Sequence, residues 1–304
     1  FPESPSPLAY DPEYHGGVSR LFVDPKTLRV LSSNTVLSGT HRNCAGGPSP
    51  WGWLTCEESE EPRHGYVFAC AADAERATTP LKIPGYGRFR HEAVAVDPET
   101  LRAYLTEDQA DGALYRFTPN AAADPFVGRL EALRVRGKKD FDVSDSLRPG
   151  RRVEVEWVGI DDPEAERRTT REQAHEKGAA AIRRGEGAWF DARSVVFTST
   201  SGGPRGLGQV LRLHLRENED GNQRDELEVV CESQNAEDWK SPDNITVAPN
   251  GDLVFAEDGG SDQHLRGITP DGLVYSIARN VGSESELAGV CFSPDSSTLF
   301  CNLQ

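Results

Sequence analysis

The sequence predicts an all-β protein, a six-bladed β-propeller in one domain spanning residues 1–304, with a helical insertion around residues 161–184. Three observations predict it. HEAVAVDPETLRAYLTED from His91, DNITVAPNGDLVFAED from Asp243 and SELAGVCFSPDSSTLFCN from Ser285 share one grammar: a polar or acidic residue, a short apolar run, a turn, and a second apolar strand. Glu186 and Asp243 stand 57 positions apart, and Asp243 and Glu286 stand 43 apart. That spacing matches the roughly 40–50 residues of a four-stranded blade, so about six blades fit the chain. Acidic residues also recur at matching places, before the first strand of a unit and after the second. Two unrelated β-sandwich domains are the structural alternative.

Taken in order, LFVDPKTLRVLSSN from Leu21 is a turn-and-strand unit without the acids, and NCAGGPSPWGWLTCEE from Asn43 follows the grammar more loosely. The unit at His91 turns on Asp-Pro and is followed by an outer strand, ALYRFTP at 113–119. DDPEAERRTTREQAHEKGAAAIRR at 161–184 breaks the pattern, because Asp162 before Pro163 is a helix-start signal and strong helix formers follow. Its interleaved Glu and Arg predict a solvated helix face. GEGAWFDARSVVFTSTSGG from Gly185 returns to the grammar, with QVLRLHL at 209–215 as its outer strand. SGGPRGLGQ at 201–209 is glycine-rich but lacks the Lys-Ser/Thr ending of a phosphate loop, and is a blade loop. The Asp243 unit turns on Pro-Asn-Gly and is followed by LVYSIAR at 273–279; the Ser285 unit turns on Pro-Asp.

The balance of 33 basic and 49 acidic residues, a formal charge of −16, disfavours nucleic acid and anionic membranes as partners and favours bound cations. No run approaches the roughly 20 apolar residues of a membrane helix. The chain opens at Phe1 without a start methionine and stops at Gln304 right after an apolar strand pattern, which reads as a trimmed or partly observed product with its signal peptide missing. Six cysteines without a CxxC pair, mostly in strand-like runs, read as buried free thiols.

In an antiparallel pair, the start of one strand and the end of the next lie at the same edge. Glu92, Glu186, Asp243 and Glu286 at the starts, with Cys56, Glu57, Glu107, Asp108, Glu257 and Asp258 at the ends, therefore converge on one mouth of the central channel. A single acid at a strand end is ordinarily a turn cap or a solvated edge. So many recurring carboxylates in one funnel require cations, since like charges at close range drive one another to protonate. Carboxylates with Asn43 and Asn244 suit Ca2+, whereas a Cys56 thiolate suits a transition metal such as iron or zinc. His91 beside Glu92 is read as a packed histidine in preference to a ligand. Arg184, two residues before Glu186, is either a bidentate clamp for a phosphate or carboxylate or an ordinary ion-pair partner.

RNCAGGPSPWGWLTCEE, GRFRHEAVAVDPETLRAYLTED, RGEGAWFD, SPDNITVAPNGDLVFAEDGG and SELAGVCFSPDSSTLFCNLQ, in this order, resemble the signature blocks of the PhoX family of bacterial alkaline phosphatases. The resemblance implies a hydrolase, exported by the twin-arginine (Tat) route to the periplasm or beyond, that cleaves small-molecule phosphate esters at an oxo-bridged Fe3+ and Ca2+ cluster. It implies Cys56 as the thiolate iron ligand, Glu92, Glu186, Asp243 and Asp258 as cluster ligands, and Arg184 as a contact to substrate phosphate. The spacing after PWG is one residue shorter than the family pattern. No lysine follows Gly251, which leaves Arg266 or Arg279 for the late substrate contact of the family. On this reading the cluster cations neutralise phosphoryl oxygens, no protein nucleophile is required, and the enzyme is a monomer. A calcium-dependent propeller lactonase or esterase, and a non-catalytic calcium-binding propeller, are the alternatives.

Overall fold

The turn residues of the repeat close its hairpins as their chemistry requires. The Asp97 carboxylate accepts hydrogen bonds from the amides of Glu99 and Thr100 and from the Thr100 hydroxyl, and Gly251 supplies a φ of 88° in the Pro-Asn-Gly turn. The structure, a computed structural model, describes residues 6–216, 224–260 and 263–304.

A hairpin of β1 (Gly16–Val23) and β2 (Val30–Thr40) precedes a four-stranded antiparallel sheet of β3 (Asn43–Ser49), β4 (Gly52–Glu57), β5 (Val67–Cys70) and β6 (Leu81–Lys82). Next come β7 (His91–Val96), β8 (Ala103–Glu107), β9 (Leu114–Ala121) and β10 (Asp124–Val135), then β11 (Arg152–Gly159), then β12 (Gly185–Asp191), β13 (Ser194–Ser199), β14 (Gln209–His214) and β15 (Glu226–Glu232). β11 pairs with both β10 and β15, so these two four-stranded units join into one nine-stranded sheet. β16 (Pro242–Val247), β17 (Leu253–Glu257), β18 (His264–Ile268) and β19 (Val274–Arg279) form the next sheet, and β20 (Leu287–Phe292) with β21 (Leu299–Leu303) a last hairpin.

The first strands β3, β7, β12, β16 and β20 pack beside one another in chain order, as the inner strands of a propeller do. The second strands β8, β13 and β17 are buried on both faces. Leu105 joins the core shared with the preceding sheet, containing Leu54 and Val67, while Tyr104 joins the core shared with the following one, containing Phe197 and Leu211. Val196 and Phe255 pack together in the next core, and Val254 and Leu287 in the one after. This period-two division between two apolar cores explains why the strands read as nearly continuous apolar runs. The architecture is all-β and propeller-type; the described residues form four four-stranded units and two hairpins, with β11 joining two of the units.

The predicted helix over 161–184 is much shorter. Only α1 (Thr170–Glu176) is helical within that span, started by a capping box between Thr169 and Glu172. Asp162 instead caps a local turn, accepting from the amides of Glu166 and Arg167. Gly178, at φ 79°, stops the helix, and the amides of Ala180, Ala181 and Ile182 bond to the carbonyls of Leu133, Phe141 and Gly112. Tertiary hydrogen bonds thus override the local helix preference of KGAAAI. The insertion is also not simply solvated, since Thr170, Gln173 and Ala174 are buried and Arg171 reaches the carboxylate of Glu107.

Candidate metal centre

One irregularity recurs in the first hairpin of four units. Asn43 pairs with Glu57 but Gly46 with Thr55; His91 pairs with Glu107 but Val94 with Leu105; Gly185 pairs with Ser199 but Ala188 with Phe197; Pro242 pairs with Glu257 but Ile245 with Phe255. Each inner strand therefore carries one extra residue at its start, a β-bulge. The residue after the first pair, Cys44, Glu92, Glu186 or Asp243, is delivered in every case to a cavity of ≈ 660 Å³ at the channel mouth. Glycine allows the inner strands to approach: a Cβ on Gly187 would lie 2.6 Å from the Asn244 Cα.

The second strand of each hairpin adds a further side chain by the same alternation. Glu58, Asp108 and Asp258 follow directly after the first-pair residues and line the cavity. Their amides bond to the carbonyls of Arg42, Arg90 and Ser241 at 3.0, 3.1 and 2.9 Å, and in the third unit Thr200 bonds to Arg184 at 3.0 Å.

Oxygen atoms of Glu92, Glu186 and Asp243 all lie within 4.8 Å of one another, and a second group of Cys44, Glu58 and Glu92 meets the same limit. Burial first, and then the neighbouring acids, pushes Glu92 and Glu186 well above the usual carboxylate range. Burial, Glu286 and Asp258 push Asp243 up to about 7. Glu286, at about 7, is raised by its burial and by its hydrogen bond and charge relation to Asp258. Burial and Glu92 likewise push the Cys44 thiol upward. Arg184 is the cation of this group, with Nε 2.7 Å from Asp108 Oδ1, and Nη2 3.1 Å from Asp108 Oδ2 and 3.0 Å from Glu186 Oε1.

The donor set fits metal ions. Glu92 Oε1 is buried without a hydrogen-bond partner, and the three-carboxylate group supplies the hard oxygens that Ca2+ takes. Cys44 adds a soft donor suited to iron. The acidic strand ends predicted to converge do so for Glu92, Asp108, Glu186, Asp243 and Asp258, joined by Asn43 and Asn244. The Asn244 side chain is already engaged, accepting from the Gly289 amide and donating to Asp243 at 3.3 Å.

Other expected ligands point elsewhere, because successive residues of a strand face opposite sides. Cys56 is fully buried in the apolar core with Leu54, Val67 and Tyr86; Thr55, its neighbour, faces the cavity, and the thiol there belongs to Cys44. Glu57 is consumed by His64 Nδ1 and by the amides of His41, Gly65 and Tyr66. Glu107 accepts from Tyr115, the Ala113 amide and Arg171, and Glu257 from the Lys240 amide and Arg266. Arg266 is thereby held away from the cavity, and Arg279 ends the outer strand β19. His91 is a packed residue, stacked on Phe89 and bonded through Nε2 to the Gly87 carbonyl; burial lowers it to about 3.

Glu286 lines the cavity from a different place in the repeat. Leu287 pairs with Leu303, so Ala288 holds the ligand position of that hairpin and Glu286 stands where Arg184 stands in its own. Cys44 and Glu58 are the two residues that the sequence reading passed over. Alignment of Asn43-Cys44 with His91-Glu92, and of the second acid in CEE, TED and AED, is the signal that locates them.

Glu107→Ala is expected to cost about 1–3 kcal/mol of stability, because it removes the acceptor of the buried Tyr115 hydroxyl and the Ala113 amide and leaves Arg171 with Asp111 alone. Urea denaturation measures that loss. Calcium uptake should be preserved, since Glu107 does not reach the cavity.

The fold and site define a propeller-type protein with a cation-fitting acidic cavity at the mouth of its inner strands. The chain belongs to the alkaline phosphatase PhoX family, whose family model matches residues 26–304. No curated protein matches it. Among solved structures it is similar to a protein from Lactobacillus plantarum, with 10% identity, a TM-score of 0.40, and coverage of 95% of this chain and 75% of that one. It is also similar to the hydrazine synthase of Kuenenia stuttgartiensis, with 13% identity, a TM-score of 0.40, and coverage of 93% and 89%.

Proposed function

We propose that this protein is a phosphomonoesterase that hydrolyses small-molecule phosphate esters at an Fe3+ and Ca2+ site in the acidic cavity, and that it acts in the periplasm or outside the cell. The observation that carries the reading is the meeting of Glu92, Glu186 and Asp243 within 4.8 Å of one another beside Cys44 and Glu58. Family membership supports the phosphatase class. Glu92, Glu186 and Asp243 would hold the hard cations and Cys44 the iron, with Glu58, Asp108 and Asp258 available around them. Bound there, the metals supply charge neutralisation of the phosphoryl group and activation of water.

The chain's own groups then have distinct tasks. Arg184 is half-exposed and anchored by Asp108 and Glu186, so its guanidinium is aimed before substrate arrives and can orient a phosphoryl oxygen. Burial and neighbouring acids raise Glu92 and Glu186, so metal loading displaces protons from them and uptake strengthens as pH rises.

The test is elemental analysis of protein purified without chelators, together with p-nitrophenyl phosphate turnover at alkaline pH. Iron and calcium with turnover support the reading. Calcium alone with lactone cleavage identifies a lactonase, and calcium with neither reaction a structural calcium propeller.

Arg184→Ala is expected to lower kcat/KM about 100-fold, the scale of one lost oriented donor in the transition state. Metal content should remain, because a guanidinium does not ligate cations and its removal leaves the cavity more negative. Loss of metal together with turnover would reduce Arg184 to an ion-pair role.

A further inference from the structure

Three carboxylates within 4.8 Å of one another repel once ionised, so something other than the acids must hold the backbones that carry them. The bulges show what does. In the second unit His91 pairs with Glu107 and Val94 with Leu105, which leaves Glu92 and Ala93 opposite the single residue Thr106. In the third, Gly185 pairs with Ser199 and Ala188 with Phe197, which leaves Glu186 and Gly187 opposite Thr198.

Both threonines are buried, and each places its hydroxyl between two units. Thr106 Oγ1 accepts from the Ala93 amide at 3.0 Å, beside Glu92 in its own unit, and donates to the carbonyl of Glu186 in the next. Thr198 repeats the arrangement one unit on. Its Oγ1 donates to the carbonyl of Asp243 in the next unit at 2.6 Å, and lies 3.4 Å from the carbonyl of Gly187, beside Glu186 in its own. The two hydroxyls thus join the ligand-bearing backbones in sequence, Glu92 to Glu186 and Glu186 to Asp243. In the first and fourth units the place opposite the bulge belongs to Cys56 and Ala256. Those hairpins form the same bulge without a hydroxyl, so the bulge itself does not need one. Among the described residues, the threonine links span the three units that supply the three-carboxylate group.

We propose that Thr106 and Thr198 are positioning residues of the metal centre, whose hydroxyls set the separation of Glu92, Glu186 and Asp243 before any cation arrives. The inference rests on the cation-site reading above and adds the groups that preorganise it. Neither threonine touches the ion; each acts through the backbone of a ligand, where loss of a supporting bond lowers metal affinity about 10- to 100-fold.

The experiment is a calorimetric Ca2+ titration, at one fixed pH, of chelator-stripped wild type, Thr106→Val, Thr106→Ser, Thr198→Val and Thr198→Ser. Thr170→Val is the control, a buried hydroxyl that accepts from Tyr115 at 3.4 Å and does not line the cavity. Each valine is expected to weaken Ca2+ binding about tenfold, and each serine, which keeps the hydroxyl, to bind as the wild type does. The control should lose stability in urea with its Ca2+ affinity intact. Where one valine variant does not fold, the pair at the other threonine carries the comparison. Unchanged affinity in both valine variants, serine variants as weak as their valine counterparts, or equal weakening in Thr170→Val overturns the proposal. If the wild type itself binds no Ca2+, the metal reading fails separately, and crystal structures of stripped wild type and Thr106→Val decide the positioning role. It stands if the Glu92 and Glu186 carboxylates part beyond 4.8 Å in the variant, and falls if they do not.

Discussion

Cys44→Ser is expected to remove iron, abolish the visible thiolate-to-iron absorption and lower phosphatase turnover at least 100-fold, whereas Cys56→Ser should leave all three in place. The two thiols lie on adjacent strands and both feel Glu92, yet their surroundings differ in kind. Cys44 sits at the bulge of β3 and lines the cavity with Glu58 and Glu92, where a bound cation offsets the cost of ionising it. Serine there offers a hard, poorly ionised hydroxyl in place of a soft ligand. Cys56 has no such compensation: it is buried among Leu54, Val67 and Tyr86, and burial pushes its thiol far upward. A hydroxyl at that place costs about 1–3 kcal/mol in stability. Metal content, the absorption spectrum and urea denaturation of both variants check the pair of expectations. Iron retained in Cys44→Ser and lost in Cys56→Ser would reverse the assignment.

Glu92→Gln should abolish metal uptake and turnover while making the chelator-treated protein more stable. Glu92 belongs to both ligand groups, and its buried carboxylate is raised first by desolvation and then by Asp243. Removing its charge relieves that repulsion at the expense of the site. The sign with pH follows from the same shifts. Glu92, Glu186, Asp243 and Glu286 are all raised in the folded state, with Asp243 and Glu286 at about 7, so the folded protein binds more protons than the unfolded chain between the ordinary carboxylate range and about pH 7. Stability of the chelated wild type therefore falls as pH rises through that window. Glu92→Gln should show a shallower fall, and added metal should flatten the wild-type curve. Thermal unfolding between pH 5 and 8, with and without chelator, reads all three; a wild-type midpoint that rises with pH in chelator would refute the account.

The hairpin grammar, the propeller-type arrangement of inner strands and the convergence of acids were legible because they rest on local patterns: apolar runs, Asp-Pro and Asn-Gly turns, and charges at strand ends. The family was legible from the linked blocks in which those patterns sit. Within the block CEE, by contrast, sequence order alone does not say which of three adjacent residues faces the channel. The same ambiguity covers TED and AED.

What the sequence by itself determined is thus the set of strands, the turns that join them and the end of each hairpin at which acids gather, since these follow from side-chain chemistry within a few residues. The tertiary structure decided which acids share the cavity. A bulge at the start of each inner strand and the alternation of the next strand turned Cys44, Glu58, Asp108 and Asp258 inward. They also turned Cys56, Glu57, Glu107 and Glu257 into the core or its hydrogen-bond networks. It likewise cut the predicted helix to Thr170–Glu176, because the backbone of Ala180–Ile182 found partners in distant strands. The physical reasons differ: in the hairpins a shift of one residue reverses every side chain of a strand, whereas the helix ends where hydrogen-bond partners distant in the sequence take over its backbone.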